Sequence, residues 1–493
     1  MANRKILKRK CYAVLIRLAS PLCVSSGNNE NTDKDVLRSA DGEIFLPGSS
    51  IAGAWREFLG QKKNDDGMLG FSKDEKGRMS PITISDLFLY KKHEKQSEKD
   101  DSTNNGKNVQ EDEKQTKKVR PTVSVRDGVK LDEDKDVINK FDMEIVETGA
   151  EGILYFSYIE REKDPWDYDT AISDILKGMQ TAEIRFGASK NRGMGRIRIK
   201  EVHESTFTKE NVAEWIEFSR FRKDPEKYQT HESYEKWAQN NASNHVSKYL
   251  TIKVPLKLRG GISIRKYSTK PLQADYEHIT ANGEPVIPGA SWNGAIRSDV
   301  RSILNDLGCT KTEQYLRTWF GCIEDDLDGG GSGSKGTLQP KEDAASKEPP
   351  TFTGTLDSKD EDLYEVASVQ EEVHQSRIVI GESILRGAVP VPLTRNKINR
   401  IDASAVDGAL YSDISYYGGE TDLCLMIRKD EGAEYKALIG VLDIVIKDVQ
   451  EGYLSVGGLV SVGRGVFQSG DRPVEYSEPV SRDVCMSKLY SLL

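Results

Sequence analysis

A duplication inside the chain limits its fold more than any other feature of the sequence. Residues 42–56, GEIFLPGSSIAGAWR, match residues 283–297, GEPVIPGASWNGAIR, at eight positions. Three glycines also recur 270 residues later: Gly187, Gly193 and Gly195 match Gly457, Gly463 and Gly465. Because each offset holds over a long stretch, the sequence predicts two copies of one domain, which we place at residues 9–203 and 249–493.

Each predicted copy is a mixture of strands and helices. A strand opens both copies, YAVLIRLASPLCV and YLTIKVPLKL, and a polar loop, a Pro-Gly turn and an amphipathic helix follow. Later segments, GILYFSYIE, LCLMIR and ALIGVLDIVI, are β-like, and we place the Gly-rich turn that comes later in each copy between strands. This order predicts an α+β protein with two tandem ferredoxin-like (RRM-like) domains.

Three segments stand apart from these domains. Residues 91–118 contain almost nothing apolar and residues 325–362 combine Gly-Ser runs with charges. Both are predicted to be long flexible insertions, either solvated loops or arms that order on a partner. Residues 204–248 are predicted to be a helical linker, in which one helix face carries or adjoins Val212, Trp215, Ile216 and Phe218.

Composition narrows the partners and cofactors. The net charge is -9, but residues 324–365 alone carry 12 acidic residues and 4 lysines, so the rest is nearly neutral and compatible with an RNA or DNA partner. No apolar run approaches about 18 residues, so no membrane partner is expected. The six cysteines are scattered and form no CxxC pair, so a cytoplasmic protein without zinc is expected. The sequence contains no P-loop motif, so no nucleotide cofactor is expected.

The repeated Pro-Gly turn is a candidate phosphate site. It places small residues at a helix N-terminus, where N–H groups favour an anion, unless the helix is simply capped by Ser49, Ser50 or Ser291. Arg56 and Arg297 recur at one position, either as a phosphate contact or as a structural ion pair.

The Gly-rich segment, GASKNRGMGRIRIK, is a second candidate. Its glycines allow close approach of a ligand, or a bend with positive φ, and its charges come from Lys190, Arg192, Arg196 and Arg198. The second copy keeps the glycines with Arg464 alone. Basic residues in both copies favour contact with a polyanion.

Acidic residues precede both Pro-Gly turns. The first loop carries Asp33, Asp35 and Asp41, and the second carries Asp275 and Glu277. A carboxylate there can bind a divalent ion or assist attack by a ribose 2′-hydroxyl, although loop acids are often only solvated.

Taken in order, these motifs resemble the RAMP superfamily of CRISPR-associated proteins, specifically the backbone subunits of type III effector complexes. Two mid-domain segments complete the resemblance, VRDGVKLDEDKDVINKF at 125–141 and TRNKINRIDASAVDGALY at 394–411. The resemblance implies ferredoxin-like cores with protruding thumbs, stacked with other effector subunits as a filament along CRISPR RNA. Two fused copies look like the double-backbone subunit of a type III-D-like complex.

The resemblance also implies roles for individual residues. Guide-RNA contacts of the family match Gly48, Ser49, Ser50, Arg56, Arg192, Gly193, Gly195, Gly289, Ala290, Ser291, Arg297, Gly463, Arg464 and Gly465. In catalytic members a loop aspartate cleaves target RNA with a divalent metal, expected here to be Mg²⁺, and leaves a 2′,3′-cyclic phosphate. That metal-binding aspartate matches Asp33 and Asp275, with Asp35 as a rival because the loops differ by one residue in length.

Three functions stand as hypotheses. The first is a CRISPR RNA-binding backbone subunit that also cuts guide-paired target RNA. The second is a structural subunit that binds RNA without chemistry. The third is a guide-processing endoribonuclease, for which the useful loop histidine occurs only as His278, without a counterpart in the first copy.

Overall fold

A computed structural model describes residues 5–25, 32–60, 67–73, 76–93, 117–131, 137–220, 222–267, 274–321, 375–406 and 410–493. The first half has strands β1 (Ile6–Leu18), β2 (Phe45–Leu46), β3 (Phe71–Lys73), β4 (Lys76–Arg78), β5 (Ile82–Ile84), β6 (Leu87–His93), β7 (Lys117–Val119), β8 (Val123–Leu131), β9 (Val137–Val146), β10 (Glu151–Arg161), β11 (Ile197–Thr208) and β12 (Thr230–Ser233). Its helices are α1 (Gly48–Phe58), α2 (Tyr168–Gln180), α3 (Val212–Phe218) and α4 (Tyr234–Asn240).

The second half has strands β13 (Tyr249–Arg259), β14 (Gly261–Ile262), β15 (Arg265–Tyr267), β16 (Tyr276–His278), β17 (Thr280–Ala281), β18 (Glu284–Ile287), β19 (Ile378–Ile380), β20 (Ser383–Ile384), β21 (Val389–Arg395), β22 (Tyr411–Tyr417), β23 (Glu420–Arg428), β24 (Val466–Ser469) and β25 (Glu475–Tyr476). Its helices are α5 (Gly289–Asp306), α6 (Thr312–Phe320), α7 (Ala433–Glu451) and α8 (Arg482–Tyr490). The mixture of helices and sheets fits the predicted α+β class.

The central sheets of the two halves share one strand order. In the first half the order is β11–β1–β10–β5, and the chain runs β1, α1, β5, β10, α2, β11. In the second half the order is β24–β13–β23–β19, and the chain runs β13, α5, β19, β23, α7, β24. The sequence repeat therefore corresponds to a repeat of topology, with the predicted opening strands β1 and β13 in the same central place.

Alternation along β1 explains how both faces of the first sheet are covered. One face carries Tyr12 and Val14, which pack with α1 and α2 in the main core of this half. The other face carries Cys11 and Ala13, which pack with Phe218 of α3. Residues 204–248 hold the helices α3 and α4, but they also add β12 to the sheet beside β11, so this segment is part of the first half's core.

Helix α3 turns only part of its predicted apolar face inward. Phe218 is buried, whereas Val212 and Ile216 are 49% and 61% exposed. This short helix therefore packs against the sheet mainly through the side chain at its C-terminal end.

Two predicted elements are wrong. The run ALIGVLDIVI forms the middle of α7 instead of a strand, because a ten-residue run that is apolar apart from Asp443 suits either a buried strand or a buried helix. Its fully buried residues, Ala437, Leu438, Val441, Leu442 and Val445, follow helical spacing. The Gly-rich segments connect a helix to a strand, α2 to β11 and α7 to β24, and not two strands.

Most of the predicted insertions lies outside the described residues. Of the first, residues 91–93 and 117–118 belong to β6 and β7, which pair antiparallel, and residues 94–116 are not described. The whole of 325–362 is also outside the described part. Among the helices that the structure describes, none is long and apolar enough to cross a membrane.

Each half also carries a hairpin outside its central sheet. In the first half β8 pairs with β9, and in the second half β21 pairs with β22. These hairpins include most of the two mid-domain segments, 125–141 and 394–411. The acidic loops lie against their second strands.

Candidate nucleic-acid interface

The acidic loop of the first half is tied to β9. The Asp33 N–H donates to Oδ1 of Asp142 at 2.8 Å, and the Asp142 N–H donates to Oδ2 of Asp33 at 3.0 Å. Next along the loop, the Lys34 carbonyl accepts from the Glu144 N–H at 3.0 Å, and the Val36 N–H donates to the Glu144 carboxylate at 2.9 Å. The loop therefore runs along the hairpin strand, with Asp33 exposed.

The acidic loop of the second half makes the same arrangement with β22. The Asp275 N–H donates to Oγ of Ser412 at 3.2 Å, and Oδ2 of Asp275 accepts from the Ser412 N–H at 2.7 Å and from its hydroxyl at 3.2 Å. Asp275 is exposed, and β16, which follows it, pairs in parallel with β22. Ser412 lies 270 residues after Asp142, the offset of the sequence repeat. Asp33 and Asp275 therefore occupy equivalent positions.

The difference in loop length falls after the aspartates. Five residues, 39–43, lie between the bridged pair Arg38 and Ile44 in the first half, whereas four, 281–284, lie between the equivalent pair Thr280 and Pro285 in the second. Asp35 is therefore not the counterpart of the second-half aspartate. It is only 6% exposed, and its Oδ1 accepts from the N–H and the hydroxyl of Thr32. Of the two rivals, Asp33 has the exposed position that recurs.

The helix N-terminus of the first half already binds a carboxylate of the protein. Helix α1 begins at Gly48 with Pro47 as its N-cap, and no side chain caps it. The Gly48 N–H donates to Oδ1 of Asp86 at 2.8 Å. Because Ser49 and Ser50 lie exposed inside the first turn, the predicted serine cap is wrong; α5 likewise begins after a proline, without a side-chain cap.

Arg56, near the end of α1, binds backbone. Its Nη2 donates to the carbonyls of Leu69 and Gly70 at 3.0 and 3.1 Å. This contact fixes the following loop against the helix, so Arg56 has a structural partner other than the predicted phosphate or ion pair. Arg297, at the same position of α5, is half-buried.

The first Gly-rich loop docks on the second half. Its single 3₁₀ turn, Lys190–Arg192, lies beside the start of α5 and β19. A methyl group on Gly193 would lie 2.5 Å from Cα of Gly381, and one on Gly289 would overlap the carbonyl oxygen of Arg192. Glycine is therefore required on both sides of this contact. Gly289 and Gly193, predicted to contact RNA, are buried between the halves.

The two Gly-rich loops share one backbone conformation. Gly193 and Gly463 both follow a 3₁₀ turn with φ of 76° and 79°, and Gly195 and Gly465 have φ of 76° and 70°. A side chain on Gly195 would overlap the Phe186 carbonyl. Positive φ and close packing explain why glycine occupies these positions. Of the two alternatives that the sequence leaves open, this is the bend with positive φ.

Basic residues of the first loop face protein groups. Lys190 lies 3.2 Å from a carboxylate oxygen of Glu57, and burial lowers the pKa of Arg192. Arg196 is half-buried beside the second half. Arg185, which the sequence did not single out, is 5% exposed and its Nη2 donates to Sδ of Met426 at 3.1 Å. Burial lowers the pKa of Arg185 to about 10.

Arg464 of the second loop is held by an aromatic ring. Its guanidinium carbon lies 4.5 Å from the centroid of the Tyr417 ring, and it donates a hydrogen bond to the Tyr417 hydroxyl. Arg464 is 9% exposed. Its predicted contact with RNA stays a prediction, and the structure adds a role in joining the loop to β22.

A buried ionic cluster also joins the first hairpin to the second half. Arg126 of β8 lies 3.3 Å from Glu382, which follows β19, and 3.8 Å from Glu147. Burial raises the pKa of Glu382 to about 7, although Arg126 opposes that shift. None of these residues was predicted, because contacts between the copies leave no periodic signal in the sequence.

His278 is locked inside the second half. It is 3% exposed, its Nδ1 accepts from the Ile264 N–H at 2.9 Å, and its Nε2 lies 3.1 Å from the Val286 carbonyl. Burial lowers the pKa of His278 to about 4. With both ring nitrogens used by backbone, this histidine cannot shuttle a proton to RNA.

Sequence reasoning missed the partners of the loop aspartates. Asp142 directly follows Phe141, and Ser412 directly follows Tyr411, an aromatic residue at the same offset of 270 as the repeated glycines. A comparison of the polar residues at that offset was the signal that could have found them.

A family model, that of the RAMP superfamily, matches residues 15–198 and 249–468. These two regions fall one in each half of the fold. No curated protein matches the chain.

Proposed function

This chain belongs to the RAMP superfamily, and from that premise we propose that it is a backbone subunit of a type III, III-D-like CRISPR effector complex that cleaves guide-paired target RNA. Family membership itself indicates a CRISPR-associated, RNA-binding protein of antiviral defence that works with CRISPR RNA and partner subunits. We further propose that each half is a ferredoxin-like domain. The repeated order β11–β1–β10–β5 and β24–β13–β23–β19 supports that assignment.

One observation carries the proposed cleavage: an exposed loop aspartate recurs at the same place in both halves, at Asp33 and Asp275. In the proposed reaction the ribose 2′-oxygen attacks the adjacent phosphorus and the bond to the 5′-oxygen breaks. The products carry a 2′,3′-cyclic phosphate and a 5′-hydroxyl. The loop carboxylate would accept the proton of the 2′-hydroxyl or orient the phosphate, and the departing 5′-oxygen would take a proton from water.

The donor groups suit a weakly held Mg²⁺. Among the described residues, no three His, Cys, Asp or Glu side chains are grouped to hold a metal. Mg²⁺ commonly binds through one or two carboxylates and completes its shell with waters and substrate phosphates. Asp33 in the first half and Asp275 in the second would be its protein ligands. A bound ion would neutralise charge on the reacting phosphate.

Guide binding is proposed for the exposed parts of the predicted contacts. Ser49 and Ser50 of α1, Ala290 of α5 and Gly463 are exposed. Contacts of this kind read the backbone and shape of RNA, while base pairing with the guide selects the target.

The hairpins are proposed to act as thumbs. Ile138 on β9 is 58% exposed, and Ile401, in the segment that joins β21 to β22, is 95% exposed. Apolar side chains at such positions suit insertion between bases. Each hairpin also supplies the strand that holds a loop aspartate, β9 or β22, so unstacking of a nucleotide and attack on its ribose would involve the same hairpin.

Neighbouring subunits are proposed to dock as the two halves dock on each other. The counterpart of the docked 3₁₀ turn Lys190–Arg192 is Val460–Val462, whose Val462 is 62% exposed. In the first half, the counterpart of Gly289 is the buried Gly48, and beside it Ser49 of α1 and Asp86, which lies between β5 and β6, are exposed. Both ends of a head-to-tail arrangement are thus accessible.

A structural backbone subunit without chemistry is the second candidate. It is favoured by the hydrogen bonds of Asp33 and Asp275, which a purely structural loop would also need. The processing endoribonuclease is not supported, because the environment of His278 leaves it no proton to exchange with a substrate.

The test is target cleavage by the assembled, guide-loaded complex with Mg²⁺ or with a chelator. We expect wild-type complex and an Asp41→Ala control to cut only with Mg²⁺, and the Asp33→Ala/Asp275→Ala double variant to bind target without cutting. Cleavage that survives in the double variant would contradict the site assignment, and an intact target in every lane would identify a scaffold.

A further inference from the structure

We propose that Asp142 and Ser412 are positioning residues that hold the loop aspartates Asp33 and Asp275 in the geometry that cleavage requires. The inference rests on the proposed function, because it concerns the same two sites. It gives a role to two residues of the hairpin strands β9 and β22 that neither the sequence motifs nor the family match assigns.

The first argument is that each contact is reciprocal. In the first half, Asp142 gives its N–H to the Asp33 carboxylate at 3.0 Å and accepts the Asp33 N–H at 2.8 Å. Two hydrogen bonds between the same two residues restrain both the separation and the rotation of the loop residue. One carboxylate oxygen of Asp33 is thereby fixed before any RNA arrives, which is the pre-organisation that catalytic groups need.

The second argument is that the contact recurs with different chemistry. Ser412 gives its N–H to Asp275 at 2.7 Å and accepts the Asp275 N–H on its hydroxyl at 3.2 Å. The shared features are a backbone donor and a short side-chain acceptor, whereas the negative charge of Asp142 is not shared. The common role is therefore to position the aspartate, and it does not require a second carboxylate.

In both halves the contact between the acidic loop and the hairpin strand continues beyond the aspartate. In the first half Glu144, two residues after Asp142 on β9, binds Val36 and forms two hydrogen bonds with Arg38 at 2.8 and 3.0 Å. In the second half β16 extends the contact as a parallel strand pair with β22. These contacts tie the loop to the hairpin strand beyond the aspartate itself, so the strand sets the aspartate's position.

The two halves supply the experiment and its controls. In the guide-loaded complex we would measure the single-turnover rate of each cut for Asp142→Ala, Asp142→Asn and Asp142→Ser. Asp142→Ala removes the acceptor, Asp142→Asn keeps it without charge, and Asp142→Ser copies the second half. The reverse pair is Ser412→Ala and Ser412→Asp.

Asp33→Ala should abolish one of the two cuts. We expect Asp142→Ala to slow that same cut about 100-fold, since a displacement of the catalytic group by about 1 Å can cost that much. The cut assigned to Asp275 should keep its rate and serves as an internal control. Asp142→Asn and Asp142→Ser should stay within a few-fold of wild type. Ser412→Ala should slow only the other cut, and Ser412→Asp should preserve it. Thermal unfolding of each variant shows whether a lost rate reflects lost folding.

The positioning role and the proposed function would be contradicted by different results. If Asp33→Ala abolishes a cut but Asp142→Ala leaves it at the wild-type rate, the positioning role is wrong and the proposed function stands. If Asp142→Asn and Asp142→Ser are as slow as Asp142→Ala, the charge matters and positioning is again wrong. If Asp33→Ala leaves every cut, the proposed function itself fails.

Discussion

Replacing Gly289 by alanine tests how the two halves of the chain are joined. A methyl group there would overlap the carbonyl oxygens of Arg192, from the first half, and of Ile380, from β19. Both obstacles are backbone atoms, so no side chain can rotate away. Overpacking of this kind costs about 1–3 kcal/mol, and for a domain of this size each kcal/mol lowers the unfolding temperature by about 2–4 °C.

Gly294 provides the matched control. It lies in the same helix, and a methyl group there would have no heavy atom within 4 Å apart from the neighbouring backbone of that helix. Because alanine favours a helix interior over glycine by about 1 kcal/mol, Gly294→Ala should raise the unfolding temperature. Replacement of glycine by alanine should therefore change the unfolding temperature in opposite directions at two positions of one helix.

Scanning calorimetry of the isolated chain is the assay. We expect a fall of several degrees for Gly289→Ala and a small rise for Gly294→Ala. Equal stability of the two variants would refute the close contact between the Gly-rich loop and α5, and with it the packing between the halves.

Three further predictions concern pH, salt and the buried histidine. Burial, followed by repulsion from Asp448, raises the pKa of Asp299 to about 6, so its stabilising contribution is present at low pH and lost as the pH rises through about 6. At pH 8, Asp299→Asn should be more stable than wild type by about 1 kcal/mol, a value that allows for the partial exposure of Asp299. An equal difference in the free energy of unfolding at pH 4.5, measured by urea unfolding, would contradict this. Guide affinity should fall at least about 100-fold between 50 and 200 mM salt in filter binding, and strong discrimination between unrelated guides of equal length would argue against backbone recognition. His278→Asn should lower stability by about 1–3 kcal/mol while leaving both cuts at wild-type rates, and a lost cut in a stable variant would restore a catalytic role.

The sequence repeat was sufficient to predict the α+β class, the opening strands and the helices α1 and α5. It also located the acidic loops, because the matching offsets survive long insertions. The run in α7 was misassigned because an apolar segment buried on most sides has no period that separates helix from strand.

The contacts of the candidate site were harder to predict. From the sequence, Asp33 is the better match and Asp35 its rival, and only the structure places the extra residue in the turn after the loop. The family resemblance implies RNA contacts for Gly193 and Gly289, but the group that approaches each of them closely is the backbone of the other half. Arg126 and Glu382 meet across that junction, which only the docked structure reveals.

The most direct test of the account is to map the target-RNA ends produced by guide-loaded wild-type, Asp33→Ala and Asp275→Ala complexes. The account predicts two cuts in wild type, each ending in a 2′,3′-cyclic phosphate, and the loss of a different one in each variant. The separation of the two cuts should stay constant when the guide and target sequences are changed together. Both cuts persisting in both single variants would contradict the central claim that the chain carries two equivalent loop-aspartate sites.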